Sequence, residues 1–115
     1  MDPSVSTAHL DRDQLRDVTL DDEVLMREIL SALIDDTSRQ MRLLETAIRD
    51  QDAIRCMHLA HYSKGACANV GALVAADLLK QIERRAANHE FPQCSTALGQ
   101  LAQEIEALRN SAGLL

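Results

Sequence analysis

The stretch DAIRCMHLAHYSKGACANVG, residues 52–71, holds the side chains best suited to chemistry, with His61, Lys64 and Gly65 at its centre. If this stretch is helical, successive residues turn by about 100°. Ile54, Met57, His58, Lys64, Gly65 and Ala68 then share the hemisphere of His61, while Cys56, Leu59, Ser63, Ala66 and Val70 point away from it. A neutral imidazole nitrogen is nucleophilic near pH 7, because its unperturbed pKa is about 6.5. Such a nitrogen can take a phosphoryl group and give it back without being consumed. The Lys64 ammonium, one turn on, would offset the incoming negative charge. Gly65 costs a helix interior about 1 kcal/mol relative to alanine. Access supplies a reason: without a Cβ at this position, a bulky partner can approach the imidazole closely.

Other chemistries find less support. The chain has no Gly-rich phosphate loop, no lysine in a nucleotide-binding motif and no acidic metal triad, so no ATP site is expected. His58 lies one turn before His61, but zinc takes three or four ligands, and none of His9, His89 or the cysteines is obviously placed to complete a set. No metal site is expected. Cys56, Cys67 and Cys94 are odd in number and lack the CxxC spacing, so neither a disulfide framework nor a zinc knuckle is suggested and a reducing, cytoplasmic setting is expected, with Cys56 and Cys67 as small core residues. Nucleic acid is an unfavourable partner. The formal net charge is -6, and Tyr62 and Phe91 are the only aromatic residues, so both a basic face and stacking platforms are scarce. No apolar run approaches the roughly 20 residues needed to cross a bilayer, and the N-terminus lacks the pattern of a signal peptide.

The elements that must position His61 are helices. Pro3 and Pro92 are the only prolines, and Gly is scarce between them. Residues 1–9 read as a flexible tail, and residues 10–115 as one domain. A short helix is predicted from about Asp11 to Asp17, with Asp11 as its cap. Met26, Ile29, Leu30, Leu33, Ile34, Met41, Leu44 and Ile48 recur at helical steps and mark the buried stripe of a long second helix. Asp21 or Asp22 would cap its start, and it would end near Arg49–Asp50. Asp52 would cap the third helix, which runs to about Asn69 and is closed by Gly71. A fourth helix is predicted over about 72–88, and a fifth opens at Pro92. The economical fold is all-α: an antiparallel up-down four-helix bundle with a short extra N-terminal helix.

The segment AHYSKGACANVGA, residues 60–72, resembles the signature of histidine-containing phosphotransfer (HPt) domains at Ala60, His61, Lys64, Gly65, Ala66 and Gly71, and the helix pattern extends the likeness over roughly residues 10–110. The resemblance implies a four-helix bundle with an exposed phosphoacceptor, His61, modified at Nε2. It implies Lys64 as the lysine beside the phosphate and Gly65 as the glycine that keeps the site open. Glu83, in LLKQIERR, is similar to the Glu or Gln that bonds the other imidazole nitrogen and orients the ring. Glu83 could equally pair with Lys80 or Arg84. Two positions depart from the family. Ser63 stands where Leu is usual and is expected to bond a helix carbonyl; Leu33 stands where Phe is common.

The expected function is that of a phosphorelay intermediate. His61 shuttles a phosphoryl group between the aspartates of response-regulator receiver domains, in a pathway fed by a hybrid sensor kinase. The protein would be a phosphocarrier rather than an enzyme, with no cofactor of its own, since Mg²⁺ would belong to the receiver. Ile54, Met57, His58 and Ala68 are expected to form an apolar docking rim around His61. A monomer suffices, because a bundle of this size can bury its own core. Two other roles use the same residues: an HPt-like module that binds a receiver or kinase without carrying phosphate, or the phosphoacceptor domain of a chemotaxis-type kinase. The chain stops at Leu115 without a linker, which favours a free-standing protein over one excised from a larger kinase.

Overall fold

Three aspartates set three helix starts in the computed structural model, which describes residues 10–113. Asp11, Asp22 and Asp52 each accept a hydrogen bond from the backbone N–H three residues on, at 3.0, 3.0 and 3.1 Å. Each thereby satisfies a donor that the first helical turn leaves orphaned. The helices that follow are α1 (Arg12–Thr19), α2 (Glu23–Arg49), α3 (Ala53–Asn69), α4 (Leu73–Ala87) and α5 (Phe91–Gly113). No strand occurs among the described residues. The tail expected over residues 1–9 lies outside them.

The boundaries differ from the sequence expectation only at the ends. The first helix runs two residues past Asp17, where Thr19 Oγ1 donates to the Leu15 carbonyl at 2.7 Å. The fifth begins one residue before Pro92, with Phe91 buried beneath its first turn. Ala72 precedes α4 and offers no side-chain cap.

Each long helix packs on the next in the chain, and α5 closes back onto α2, giving the antiparallel four-helix bundle. The predicted stripe of α2 is the stripe that packs: Met26, Leu30, Leu33, Ile34, Leu44 and Ile48 are buried, with Ile29 and Met41 half-buried against them. Leu79 and Ile82 of α4 and Leu101, Ile105 and Leu108 of α5 complete the large core side chains. Burying each such side chain fully contributes roughly 1.5–3 kcal/mol. The third helix contributes differently. Its buried residues are the small Cys56, Ala60, Ser63 and Cys67, so α3 is held by a narrow inward stripe and leaves a broad face outward.

The short α1 is clasped to the turn between α3 and α4. The Asp11 N–H donates to the Gly71 carbonyl at 2.7 Å, and Gln14 Nε2 donates to the Ala68 carbonyl at 2.6 Å. Gly71 has a φ of +84°, and a Cβ built on it would lie 2.7 Å from the Asp11 carbonyl oxygen. Both the left-handed backbone and the close approach of α1 require glycine here.

Candidate functional site

His61 lies midway along α3, and its side chain is 68% exposed. Glu83 reaches it from α4. Glu83 Oε2 lies 3.0 Å from His61 Nδ1, while Oε1 accepts a 2.8 Å hydrogen bond from Lys64 Nζ. One carboxylate therefore holds two residues of α3, one turn apart. Lys64 and Glu83 are only 28% and 26% exposed, which strengthens the pair relative to a freely solvated one. Desolvation pushes the Glu83 carboxyl up, but hydrogen bonds from Lys64 and then His61, with their charges, outweigh it and hold the group below its ordinary range.

The tautomer follows from this geometry. An ionised carboxylate can only accept, so Nδ1 of His61 carries the proton and donates it to Glu83. In the neutral ring the Nε2 lone pair is then free. The arrangement presents a fixed nucleophile on an exposed helix face.

Gly65, one turn beyond His61, is exposed, and a Cβ placed there would meet nothing within 4 Å. No contact inside the molecule therefore demands glycine at this position. The expected docking residues divide into two kinds. Ile54, 67% exposed, and His58 stand on the outer face of α3, while Met57 and Ala68 are half-buried against the core. Tyr62, beside His61 in the chain, is also exposed.

The structure corrects the expectation for Ser63. Its Oγ is buried and has no hydrogen-bond partner, rather than bonding a helix carbonyl. Leu33 is buried in the core as expected for its position. The sharing of Glu83 by His61 and Lys64 was missed from the sequence, although the wheel does place Lys64 and His61 on one hemisphere.

The thiols offer no competing nucleophile. Cys56, Cys67 and Cys94 are free and buried, and burial pushes the Cys56 and Cys67 thiols up to about 11 and the Cys94 thiol upward as well. Among the described residues no group of three or more His, Cys, Asp and Glu side chains could hold a metal ion. His89 packs edge-on against Phe91, with ring centroids 5.8 Å apart, at the turn into α5. No helix among the described residues is long and apolar enough to cross a membrane.

An exposed, tautomerically fixed histidine on a four-helix bundle fits phosphoryl transfer, and comparison with known families supplies the family. Residues 28–111 match the Hpt domain family. The chain belongs to that family. Hpt domains are phosphocarriers of two-component signalling that interact with receiver domains and kinases, and this chain has a phosphotransfer role of that class. Its Hpt fold is similar to the crystal structure of histidine-containing phosphotransfer protein B from Pseudomonas aeruginosa PAO1, with a TM-score of 0.84 and 26% identity over 92% of each chain. It is also similar in fold to a rice protein assigned as a histidine-containing phosphotransfer protein, with a TM-score of 0.80 and 20% identity over 96% of this chain and 81% of that one. A search of curated proteins finds no match.

Proposed function

We propose that this Hpt domain carries a phosphoryl group on Nε2 of His61, taking it from the phospho-aspartate of one receiver domain and passing it to the aspartate of another. The observation that carries the proposal is the hydrogen bond between His61 Nδ1 and Glu83 at 3.0 Å, made while the ring stays exposed. In the forward step the Nε2 lone pair attacks phosphorus in line. The N–P bond forms as the acyl O–P bond breaks, and the aspartate leaves as a carboxylate. The proton on Nδ1 stays in place, and the ring becomes a phosphorylated imidazolium whose charge faces the Glu83 carboxylate. The reverse step restores the neutral ring, so the carrier is regenerated.

Catalysis of this kind rests on positioning and charge compensation. Glu83 orients the ring, Lys64 lies beside the site to balance phosphate charge, and Gly65 leaves room for the partner's approach. Ile54, Met57, His58 and Ala68 supply docking contacts. The receiver would contribute its own aspartate and Mg²⁺. A hybrid sensor kinase upstream, a cytoplasmic setting and action as a monomer complete the reading; three unpaired thiols fit a reducing compartment.

The test is transfer from a phosphorylated receiver to the wild-type protein and to His61→Gln. Wild type should acquire an acid-labile, alkali-stable label, and His61→Gln should acquire none while keeping its helical circular dichroism and unfolding midpoint. A labelled His61→Gln variant would overturn the assignment. Tight receiver binding without any label on wild type would favour a regulatory binding module instead.

A further inference from the structure

The docking expectation drawn from the sequence stops at α3, but the surface around His61 continues onto α4. Turning by about 100° per residue away from the core residues Leu79, Ile82 and Ala86, α4 presents Glu83, then Lys80 and Leu73, then Arg84 and Asp77, whose carboxylate accepts a hydrogen bond from Gln81 Nε2 at 3.0 Å. The contact between His61 and Glu83 fixes which way this outer side faces. Leu73, half exposed, and the exposed Lys80 and Arg84 thus lie on the same side of the bundle as the outer stripe of Ile54, His58, His61 and Gly65.

Charge is divided unevenly about this surface. Residues 53–87, which form α3, α4 and the turn between them, hold five basic residues and two acidic ones, with Asp50, Asp52 and Glu90 in the turns at its two ends. The rest of the chain holds seven basic and sixteen acidic residues. A protein with a formal net charge of -6 therefore carries its phosphoacceptor on its one positively biased hairpin. Within that hairpin Lys64 is paired with Glu83, and Arg85 with Glu90 at 3.1 Å. Lys80 and Arg84 form no ion pair among the described residues, so their charge is available to a partner.

We infer that Lys80 and Arg84 are docking residues that steer an acidic receiver face onto His61. The inference rests on the phosphotransfer reading and names the chemistry of its partner: a surface with carboxylates grouped around the reacting aspartate. An acidic chain and an acidic partner repel at long range, and a local positive face reverses the sign where contact must occur. Such complementarity acts mainly on the association rate and is screened by salt.

The experiment measures phosphoryl transfer from a labelling receiver domain to the full chain, below and at saturation, across ionic strength. Lys80→Glu/Arg84→Glu should lower the second-order rate constant about tenfold at low salt, with the gap closing towards 1 M salt. The neutral pair Lys80→Gln/Arg84→Gln should fall between that variant and wild type. Arg42→Glu changes the net charge per site equally but lies by Leu98 and Ala102 in the groove between α2 and α5, and it should change the rate less than about twofold. The first-order rate at saturation should match wild type in all of them. Equal rates in the Lys80/Arg84 variants and wild type, an equal loss in Arg42→Glu, or a loss that persists at high salt would overturn the inference while leaving transfer through His61 intact. Failure of every receiver to label wild type would instead remove the phosphotransfer reading, and this inference with it.

Discussion

The His61 ring and the Glu83 carboxylate meet across the α3–α4 interface at 3.0 Å, through Nδ1 and Oε2, while Oε1 of the same carboxylate holds Lys64. Orientation and charge are therefore combined in one side chain and can be separated by mutation. Glu83→Gln keeps an oxygen that accepts from Nδ1–H but removes the charge. Glu83→Ala removes both. Loss of the group that orients a metal-ligating histidine typically costs about 10–100-fold, and Glu83 holds His61 by the same kind of hydrogen bond. Glu83→Ala should therefore slow transfer in that range, and Glu83→Gln by less than about tenfold. Imidazole ¹⁵N chemical shifts provide a readout that a structural role would not move. They should report the Nδ1–H tautomer in wild type and Glu83→Gln and a mixture in Glu83→Ala; unchanged shifts in Glu83→Ala would refute the positioning role.

Because folding holds the Glu83 carboxyl below its ordinary range, the group binds protons less readily in the folded state than in the unfolded one. Its stabilising contribution is then fully present above the unfolded pKa, about 4.3, and is lost as pH falls through the lower folded value. Wild type should exceed Glu83→Gln in unfolding midpoint at neutral pH, and the difference should shrink steadily in acid. His61 and Lys64 both contact this carboxylate, so the limb of the difference below the unfolded pKa is the part that reports Glu83 itself. A gap that widens in acid would contradict the sign.

Gly65→Ala should separate stability from function. The added methyl meets nothing within 4 Å, and alanine is favoured over glycine in a helix interior by about 1 kcal/mol. Thermal unfolding should therefore show a more stable protein. If the open space belongs to a docked receiver, transfer should slow by about tenfold, the equivalent of roughly 1.4 kcal/mol of lost contact. A stabilised variant with undiminished transfer would dismiss the access role of Gly65.

Gly71→Ala should do the reverse. Its left-handed φ costs an L-residue roughly 1–2 kcal/mol, and the new Cβ would crowd the Asp11 carbonyl oxygen at 2.7 Å. The variant should lose about 2 kcal/mol or more in chemical denaturation. Amides of α1 should exchange faster than those of α2 and α5, because the clasp through Asp11 and Gly71 is what the methyl disturbs. Uniform protection across α1 would show that the clasp tolerates it.

Helix starts and the buried stripe of α2 were legible because both are local. An aspartate caps the turn that follows it, and the periodicity of Leu30, Leu33, Ile34 and Leu44 reads out one face without reference to any other helix. The hydrogen bond from His61 to Glu83 is not local. It depends on the rotation and register of two helices at once, and the residues alone left Lys80 and Arg84 as equal partners for Glu83. Only the family resemblance pointed across the interface. The same limit hid the pairing of Lys64 with Glu83 and the extension of the outer face onto Leu73, Lys80 and Arg84. Left-handed turns at Leu20, Asp21, Gln51 and His89 carry no glycine and so gave no signal.

Ser63 shows how a correct orientation can accompany a wrong energetic expectation. The wheel places it opposite His61, and it is indeed buried, but its hydroxyl finds no partner there. In the unfolded chain that hydroxyl is solvated, so folding pays its desolvation without a compensating bond, at about 1–3 kcal/mol. Alanine at this position removes the orphaned oxygen, keeps the small volume that lets α3 pack inward, and raises helix propensity. Ser63→Ala should therefore gain roughly 1–2 kcal/mol in chemical denaturation, by the same desolvation argument. Transfer through His61 should be unchanged, because the substitution lies on the opposite side of α3. A destabilised Ser63→Ala protein would mean that the hydroxyl is bonded in solution, and the orphan assignment would fall.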